Sequence, residues 1–188
     1  MVQIEYSQLL GELRKVARDA GLEIMQIYES SIDVDFKDDG SPVTLADQAA
    51  EKIILKRLKD IIPHIPIVSE ENASSHHLEA SDQFFLIDPL DGTKEFLKKD
   101  GLGSFTVNIG LIEKGVPTLG VVFAPALNRM FFASTPSGAY EETENGIEKI
   151  VVREVPNSGP VAVASVSHRD ELTNNWLKNN NIKDTISI

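Results

Sequence analysis

Acidic residues stand where predicted helices and strands begin or end in this sequence. Asp88 directly follows the apolar run FFLI, and Asp91 comes after it across a Pro-Leu dipeptide. Glu70 ends another apolar run, and Asp47 lies in the first turn of a predicted helix. Burying a charge is costly unless it is paired. An apolar strand that ends on Asp88 therefore indicates that water or a cation compensates the acid.

The residues after these acids predict a phosphate site beside a metal site. Carboxylates and carbonyls are ligands for hard cations, so we expect Mg²⁺, with Mn²⁺ as a substitute. Gly92 and Thr93 open the segment DGTKEF, which predicts a short helix whose first N–H groups face a phosphate. Together these features indicate metal-assisted phosphoryl hydrolysis. Singly, Asp47 is equally well explained as a helix cap, and Glu70 as a loop acid.

Other residue patterns fail the tests for known sites. DVDFKDDGS resembles a calcium loop, but Lys37 takes a ligand position, Asp38 that of the glycine, and Thr44 that of the closing glutamate. The sequence contains neither a P-loop nor a G-x-S-x-G elbow. We expect His76 and His77 to be solvated residues of a polar loop.

Composition narrows the class of protein. The chain of 188 residues has a net charge of −11, which disfavours binding to a nucleic acid polymer. No apolar run approaches the ~20 residues of a membrane span, and the first residues have no signal-peptide pattern. Cysteine is absent, as is common in a reducing compartment. We expect a cytoplasmic protein, or one held peripherally at the inner membrane, and the sequence indicates no oligomeric state.

Hydrophobic periodicity predicts a mixed α+β protein. Helical spacing predicts helices over residues ~4–29 and from Thr44 to ~62. Short β-rich runs between 104 and 140, separated by Gly, Pro and Asn, predict antiparallel strands. The apolar strand VAVASVS and a helix over ~169–180 then begin another unit. We therefore expect an N-terminal domain at 1–155 and the start of an α/β domain at 156–188.

The motifs together resemble the inositol monophosphatase superfamily of Mg²⁺-dependent, lithium-sensitive phosphatases. The resemblance rests on SPVTLAD, SEE and DPLDGT, and it covers nearly the whole chain. The Lys-Glu-Phe after DGT is most similar to the 3'(2'),5'-bisphosphate nucleotidase branch. The implied fold is the layered αβαβα sugar-phosphatase type. The implied substrate is a small phosphate compound, adenosine 3',5'-bisphosphate or its sulfated analogue, with inositol phosphate or fructose 1,6-bisphosphate as alternatives.

The resemblance also implies a role for each site residue. Two or three metal ions are expected, with Glu70, Asp88, Asp91 and the Leu90 carbonyl as ligands. Thr93 and Asp47 would orient and deprotonate the attacking water, and Glu70 is counted with them as catalytic. Leu90, Asp91, Gly92 and Thr93 would form the substrate-binding turn, in which backbone N–H groups of Gly92 and Thr93 bind phosphate. A flap around Lys37 and Asp38 would lie near a third, weaker metal.

The sequence departs from the family pattern in its C-terminal part. The family carries a second motif, Trp-Asp-x-Ala or similar, whose aspartate completes the metal site, whereas the only tryptophan here, Trp176, is followed directly by Leu177. We therefore expect a C-terminally truncated chain, and an inactive fragment with weak metal binding is the alternative function. We also expect only one helix, and no later strand, to cover VAVASVS, which leaves an unpaired strand edge prone to self-association.

Overall fold

The structure is a computed structural model that describes residues 5–29, 34–36, 42–77, 81–99, 102–164, 169–182 and 184–187. The predicted flap around Lys37 and Asp38 lies outside these ranges. The chain divides into two compact units, residues 1–150 and 151–188. The predicted boundary at 155 stays a prediction.

The first unit combines helices with one large sheet. In chain order it contains α1 (Tyr6–Glu29), β1 (Val34–Phe36), β2 (Pro42–Thr44), α2 (Leu45–Ile61), β3 (Ile67–Ser69), a 3-10 helix (Ala73–His77), β4 (Gln83–Asp91), α3 (Thr93–Lys98), β5 (Thr106–Glu113), β6 (Val116–Ala124), a second 3-10 helix (Pro125–Leu127), β7 (Arg129–Ser134), β8 (Gly138–Thr143) and β9 (Gly146–Ile150). β1 and β2 form an antiparallel hairpin.

The large sheet has seven strands in the order β3-β4-β5-β6-β7-β8-β9. β3 pairs with β4 in parallel, and every later pair is antiparallel. Because side chains alternate along a strand, each strand presents one apolar set to the helices and another to the opposite face. The helix-facing set is buried and includes Phe85, Ile87, Ile109, Val121 and Phe132.

Two long helices cover one face of the sheet. α1 packs against α2 and against β5, β6 and β7, while α2 packs against β4. The buried residues of α1, among them Leu9, Leu13, Val16, Ala20 and Ile24, recur at intervals of three or four and form the apolar stripe that the sequence predicts. The resulting helix layer and sheet layer agree with the predicted α+β class.

An aromatic cluster holds α3 beside the end of β4. The rings of Tyr28, Phe96 and Phe105 lie 5.1 to 5.2 Å apart between centroids. Phe96 and Phe105 are completely or almost completely buried. Burial of aromatic side chains of this size is a large hydrophobic contribution, so the cluster anchors the turn between β4 and α3.

The second unit is a small β-α-β arrangement. β10 (Val161–Ala164) and β11 (Asp184–Ser187) pair in parallel, and α4 (Glu171–Asn179) connects them. The Asp170 side chain caps α4 by accepting a hydrogen bond from the Thr173 N–H at 2.8 Å. The expectation that no later strand pairs with VAVASVS is wrong, because β11 occupies one edge of β10. The segment DTIS that forms β11 is too short for a periodic signal.

Within the described ranges, no helix is both long and apolar enough to cross a membrane.

Candidate metal and phosphate site

The predicted acids lie at one edge of the large sheet because β3 and β4 are parallel. Parallel strands end at the same edge. Ser69 pairs with Ile87, and the Glu70 N–H donates to the Ile87 carbonyl at 3.1 Å. Glu70 therefore follows β3 beside the point where Asp88 follows the buried part of β4. Glu70 is exposed and Asp88 is half-buried.

A bulge in β4 separates Asp88 from Asp91. Asp88 is opposite Asn108 on β5 and Asp91 is opposite Thr106, with the register shifted between them. Pro89 lies in this bulge, where its lack of an N–H removes no hydrogen bond between the strands. The Leu90 side chain is 2% exposed, so it anchors the bulge in the core.

Hydrogen bonds fix the Leu90 peptide groups within this turn. The Leu90 N–H donates to the Asp88 carboxylate. The Leu90 carbonyl accepts from Thr93 Oγ1 at 3.3 Å. Aspartate side chains commonly bond to the backbone two residues later and stabilise turns of this kind. The two bonds link Asp88 and Thr93 through a single residue, so the metal part and the phosphate part of the predicted site share one rigid turn.

The pKa of the Asp88 carboxyl group is raised far above its ordinary value. Burial raises the pKa of Asp88 from 3.8 to about 8, assisted by the negative charges of Glu70 and Asp91 and by a hydrogen bond with Glu70. The bond from the Leu90 N–H acts in the opposite direction but is the weaker influence. Like charges that crowd a half-buried site disfavour ionisation unless a cation balances them. Perturbed carboxyl groups of this kind mark candidate functional sites.

The donor set fits a hard divalent cation, although it is not a closed cage. Among the described residues, no three His, Asp or Glu side chains are arranged so that they alone could hold a metal ion. Glu70 and Asp88 are in hydrogen-bonding contact, whereas Asp91 influences Asp88 through its charge. Mg²⁺ usually binds through one or two carboxylates, waters and substrate phosphates rather than through a complete protein cage. Two carboxylates in contact beside an open turn meet that requirement.

Gly92 caps the short helix α3 with a backbone conformation that glycine adopts readily. Its φ is +85°, and it lies at the N-cap position of α3. A Cβ atom at this position would lie 2.7 Å from the Ser104 carbonyl oxygen. The first N–H groups of a helix have no partner within the helix. A side chain at this position would clash with that carbonyl, so only glycine fits. Gly92 and Thr93 lie at the N-terminus of α3, as predicted.

Asp47 lies in the first turn of α2 and is 2% exposed, which distinguishes it from a surface capping acid. β2 contacts α3, and α2 begins immediately after β2. The start of α2 therefore lies near α3, the helix that Thr93 begins. The Thr93 hydroxyl donates to the Leu90 carbonyl in this structure. A direct catalytic pair of Thr93 and Asp47 stays a prediction.

A groove of 1040 Å³ runs along the face of the sheet opposite α1 and α2. Its walls are mainly apolar, with Leu86, Ile112 and Val122 among them, and Glu70 and Asp88 also line it.

The groove also contains polar residues that the sequence analysis did not select. His76 lines it and is exposed, as expected, but its Nε2 also lies 2.8 Å from the Ser69 carbonyl oxygen. Asn108, opposite Asp88, also faces it. A polar residue at an alternate position of the apolar strand TVNIGLI was a usable signal for Asn108, whereas His76 had none.

Comparison with known proteins identifies relatives over almost the whole chain. The profile described as "Inositol monophosphatase family" matches residues 5–185. The 3'(2'),5'-bisphosphate nucleotidase CysQ of Salmonella typhimurium is 42% identical over 184 residues, which cover 96% of this chain and 72% of the relative. The protein of that name from Buchnera aphidicola is 42% identical over 92% of this chain and 65% of its own length.

Solved structures show the same fold. CysQ from Bacteroides thetaiotaomicron, described as a bacterial member of the inositol monophosphatase family, superposes with a TM-score of 0.78 and 29% identity. The match covers 99% of this chain and 73% of that protein. The Thermotoga maritima protein described as an IMPase matches with a TM-score of 0.74 and 27% identity, over 92% of this chain and 65% of its own.

Proposed function

Since this chain belongs to the inositol monophosphatase family, a family of phosphatases, we propose that it is a Mg²⁺-dependent 3'(2'),5'-bisphosphate nucleotidase. The proposed reaction is hydrolysis of adenosine 3',5'-bisphosphate, or of its sulfated analogue, to AMP or its sulfated counterpart and phosphate. The observation that carries the proposal is the contact between Glu70 and Asp88 beside the Gly92 turn. The names of the 42% identical relatives support the choice of substrate.

The proposed metal ligands are the carboxylates of Glu70, Asp88 and Asp91 and the carbonyl of Leu90, for two or three ions. When bound, Mg²⁺ supplies an activated water and neutralises charge on the phosphate. Asp88 must be ionised to bind a cation, so the ion has to overcome the repulsion that raises the pKa of this carboxyl group.

The chain's own groups hold the substrate and move the proton. Backbone N–H groups of Gly92 and Thr93 bind the phosphate at the N-terminus of α3. The Thr93 hydroxyl orients the attacking water, and Asp47, which is buried at the start of α2, accepts its proton. The Gly92 conformation keeps these N–H groups in place before substrate arrives, so the site need not reorganise to bind it.

Phosphate release with Mg²⁺ tests this proposal. Wild-type chain is incubated with adenosine 3',5'-bisphosphate, inositol 1-phosphate and fructose 1,6-bisphosphate, and released phosphate is measured with and without EDTA. We expect release from the bisphosphate nucleotide to be fastest and to depend on the metal. Glu70→Gln should lower this rate by ~10²-fold or more, because it removes a charged ligand.

Glu71→Gln is the matched control, since it removes a neighbouring charge outside the proposed ligand set. It should retain the wild-type rate. Metal-independent release would refute the proposed chemistry. Faster release from inositol 1-phosphate or fructose 1,6-bisphosphate would refute the proposed substrate but not the metal-dependent mechanism.

A further inference from the structure

Ser69, the residue before Glu70, is completely buried and hydrogen-bonded through each of its polar groups. Its N–H donates to Ser75 Oγ at 3.0 Å, and its carbonyl oxygen lies 2.8 Å from His76 Nε2. Its hydroxyl donates to the Glu51 carboxylate. These partners come from α2 and from the 3-10 helix that follows β3.

The bond between Ser69 and Glu51 joins two parts of the proposed site. Glu51 lies four residues after Asp47 on α2, and residues four apart share one face of a helix. Ser69 is covalently next to Glu70. The hydroxyl of Ser69 therefore links the strand that carries a proposed metal ligand to the helix that carries the proposed base.

Glu70 needs such support because β3 alone holds it weakly. β3 has three residues and lies at the edge of the sheet, and the Glu70 side chain is exposed. A hydroxyl-to-carboxylate hydrogen bond is charge-assisted and stronger than a neutral one. Partners outside a metal's ligand set typically orient the ligands, and their loss weakens metal binding by roughly 10–100-fold.

We propose that Ser69, together with Glu51 and His76, forms a positioning unit that holds Glu70 in register with Asp88 and with the helix of Asp47. This inference rests on the proposed function. The three residues act through Glu70, so their loss reduces metal affinity beyond any effect on overall stability. A buried serine that only satisfies its own hydrogen bonds would affect stability alone.

Binding of Mn²⁺ to the full 188-residue chain, followed by electron paramagnetic resonance, tests the positioning unit. Ser69→Ala and Glu51→Leu should each weaken Mn²⁺ binding by ~10-fold or more. Glu51→Gln keeps an oxygen that accepts from the Ser69 hydroxyl in a weaker, neutral bond, so it should lose clearly less affinity than Glu51→Leu. His76→Ala, at an exposed position that tolerates truncation, should weaken binding severalfold and keeps the test valid if Ser69→Ala fails to fold.

Tyr6→Phe is the matched control. It removes another hydroxyl-to-carboxylate bond, from Tyr6 to Glu113, at the opposite end of β5 from Asn108 and Thr106. Thermal unfolding of each variant shows whether its stability loss matches that of Tyr6→Phe, whose Mn²⁺ affinity should remain at the wild-type value.

The outcomes separate the inference from the proposed function. Wild-type affinity in Ser69→Ala, or in His76→Ala where Ser69→Ala does not fold, would refute the positioning unit alone. Equal loss of affinity in Glu51→Gln and Glu51→Leu would also refute it, because charge rather than the hydrogen bond would then be responsible. A wild-type chain that binds no Mn²⁺ at millimolar concentration would refute the proposed function, and the inference with it.

Discussion

Replacing Asp88 with asparagine should stabilise the metal-free protein while it removes the response of the protein to Mg²⁺. Burial and the charges of Glu70 and Asp91 raise the pKa of Asp88 from 3.8 to about 8. The folded chain therefore retains a proton on Asp88 that the unfolded chain releases near pH 4. Asparagine is neutral in both states and carries no such penalty.

The sign of the pH dependence follows from proton binding. Between about pH 4 and pH 8 the folded state binds more protons at Asp88 than the unfolded state, so the contribution of this group to the unfolding free energy falls as pH rises. Below this window both states are protonated and the penalty vanishes. The difference in melting temperature between Asp88→Asn and the wild type should therefore grow from pH 4 to pH 8.

The pKa shift of Asp88 and solvent screening together set how much more stable Asp88→Asn is than the wild type. One pKa unit corresponds to about 1.4 kcal/mol. Asp88 is only half-buried and water screens the charges around it. We therefore take roughly a third of the free energy that the full pKa shift would give, or about 2 kcal/mol at pH 8. For a chain of this length that difference raises the melting temperature by ~4–8 °C.

Thermal unfolding of the wild type and of Asp88→Asn, with EDTA and with Mg²⁺, measures both effects. Mg²⁺ at ten times its Kd should stabilise the wild type by ~1.4 kcal/mol and leave the variant unchanged. Asp82→Asn, directly before the first residue of β4, is the control and should respond to Mg²⁺ as the wild type does. Equal melting temperatures of wild type and Asp88→Asn at pH 8 with EDTA would refute the crowded-carboxylate argument.

Further changes test the turn and the proposed catalytic pair. Gly92→Ala should lower the free energy of unfolding by about 1–3 kcal/mol, because its Cβ would lie 2.7 Å from a carbonyl oxygen. The control Gly115→Ala is also at positive φ but has open space around it, so it should lose less stability in thermal unfolding. Phe96→Leu should cost about 1–2 kcal/mol in chemical denaturation by loosening the aromatic cluster, and an unchanged midpoint would contradict the anchoring role. Thr93→Ala and Asp47→Asn should each lower kcat for phosphate release by ~10²-fold, and the double variant should be little worse than the worse single one. Multiplicative losses would show that the two residues act independently.

The elements with long periodic patterns were predictable from sequence. α1 lies within the predicted range, because its apolar residues recur at helical spacing and alone decide which face is buried. The short helix after DGT also forms where expected, at Thr93–Lys98. The placement of Glu70 beside Asp88 followed from apolar runs that end on acids.

Features that depend on contacts between distant segments were not predictable. The Ser69 hydroxyl meets Glu51 across the packing of β3 on α2, and no local pattern encodes that meeting. The segment around His76 reads as a polar loop, yet hydrogen bonds among Asn72, Ser75 and Ser69 wind it into a 3-10 helix. β4 extends past the proline to Asp91 because Asp88 and Asp91 both pair with β5, on either side of the bulge.

The position of a bound metal tests the central proposal most directly. Crystals of the wild-type chain soaked in MnCl₂, with anomalous differences collected at the manganese edge, would locate the ion without any assay of activity. We predict an anomalous peak within ~2.0–2.4 Å of carboxylate oxygens of both Glu70 and Asp88. A well-ordered site without a peak at this edge of the sheet, or a peak only at other residues, would contradict the account.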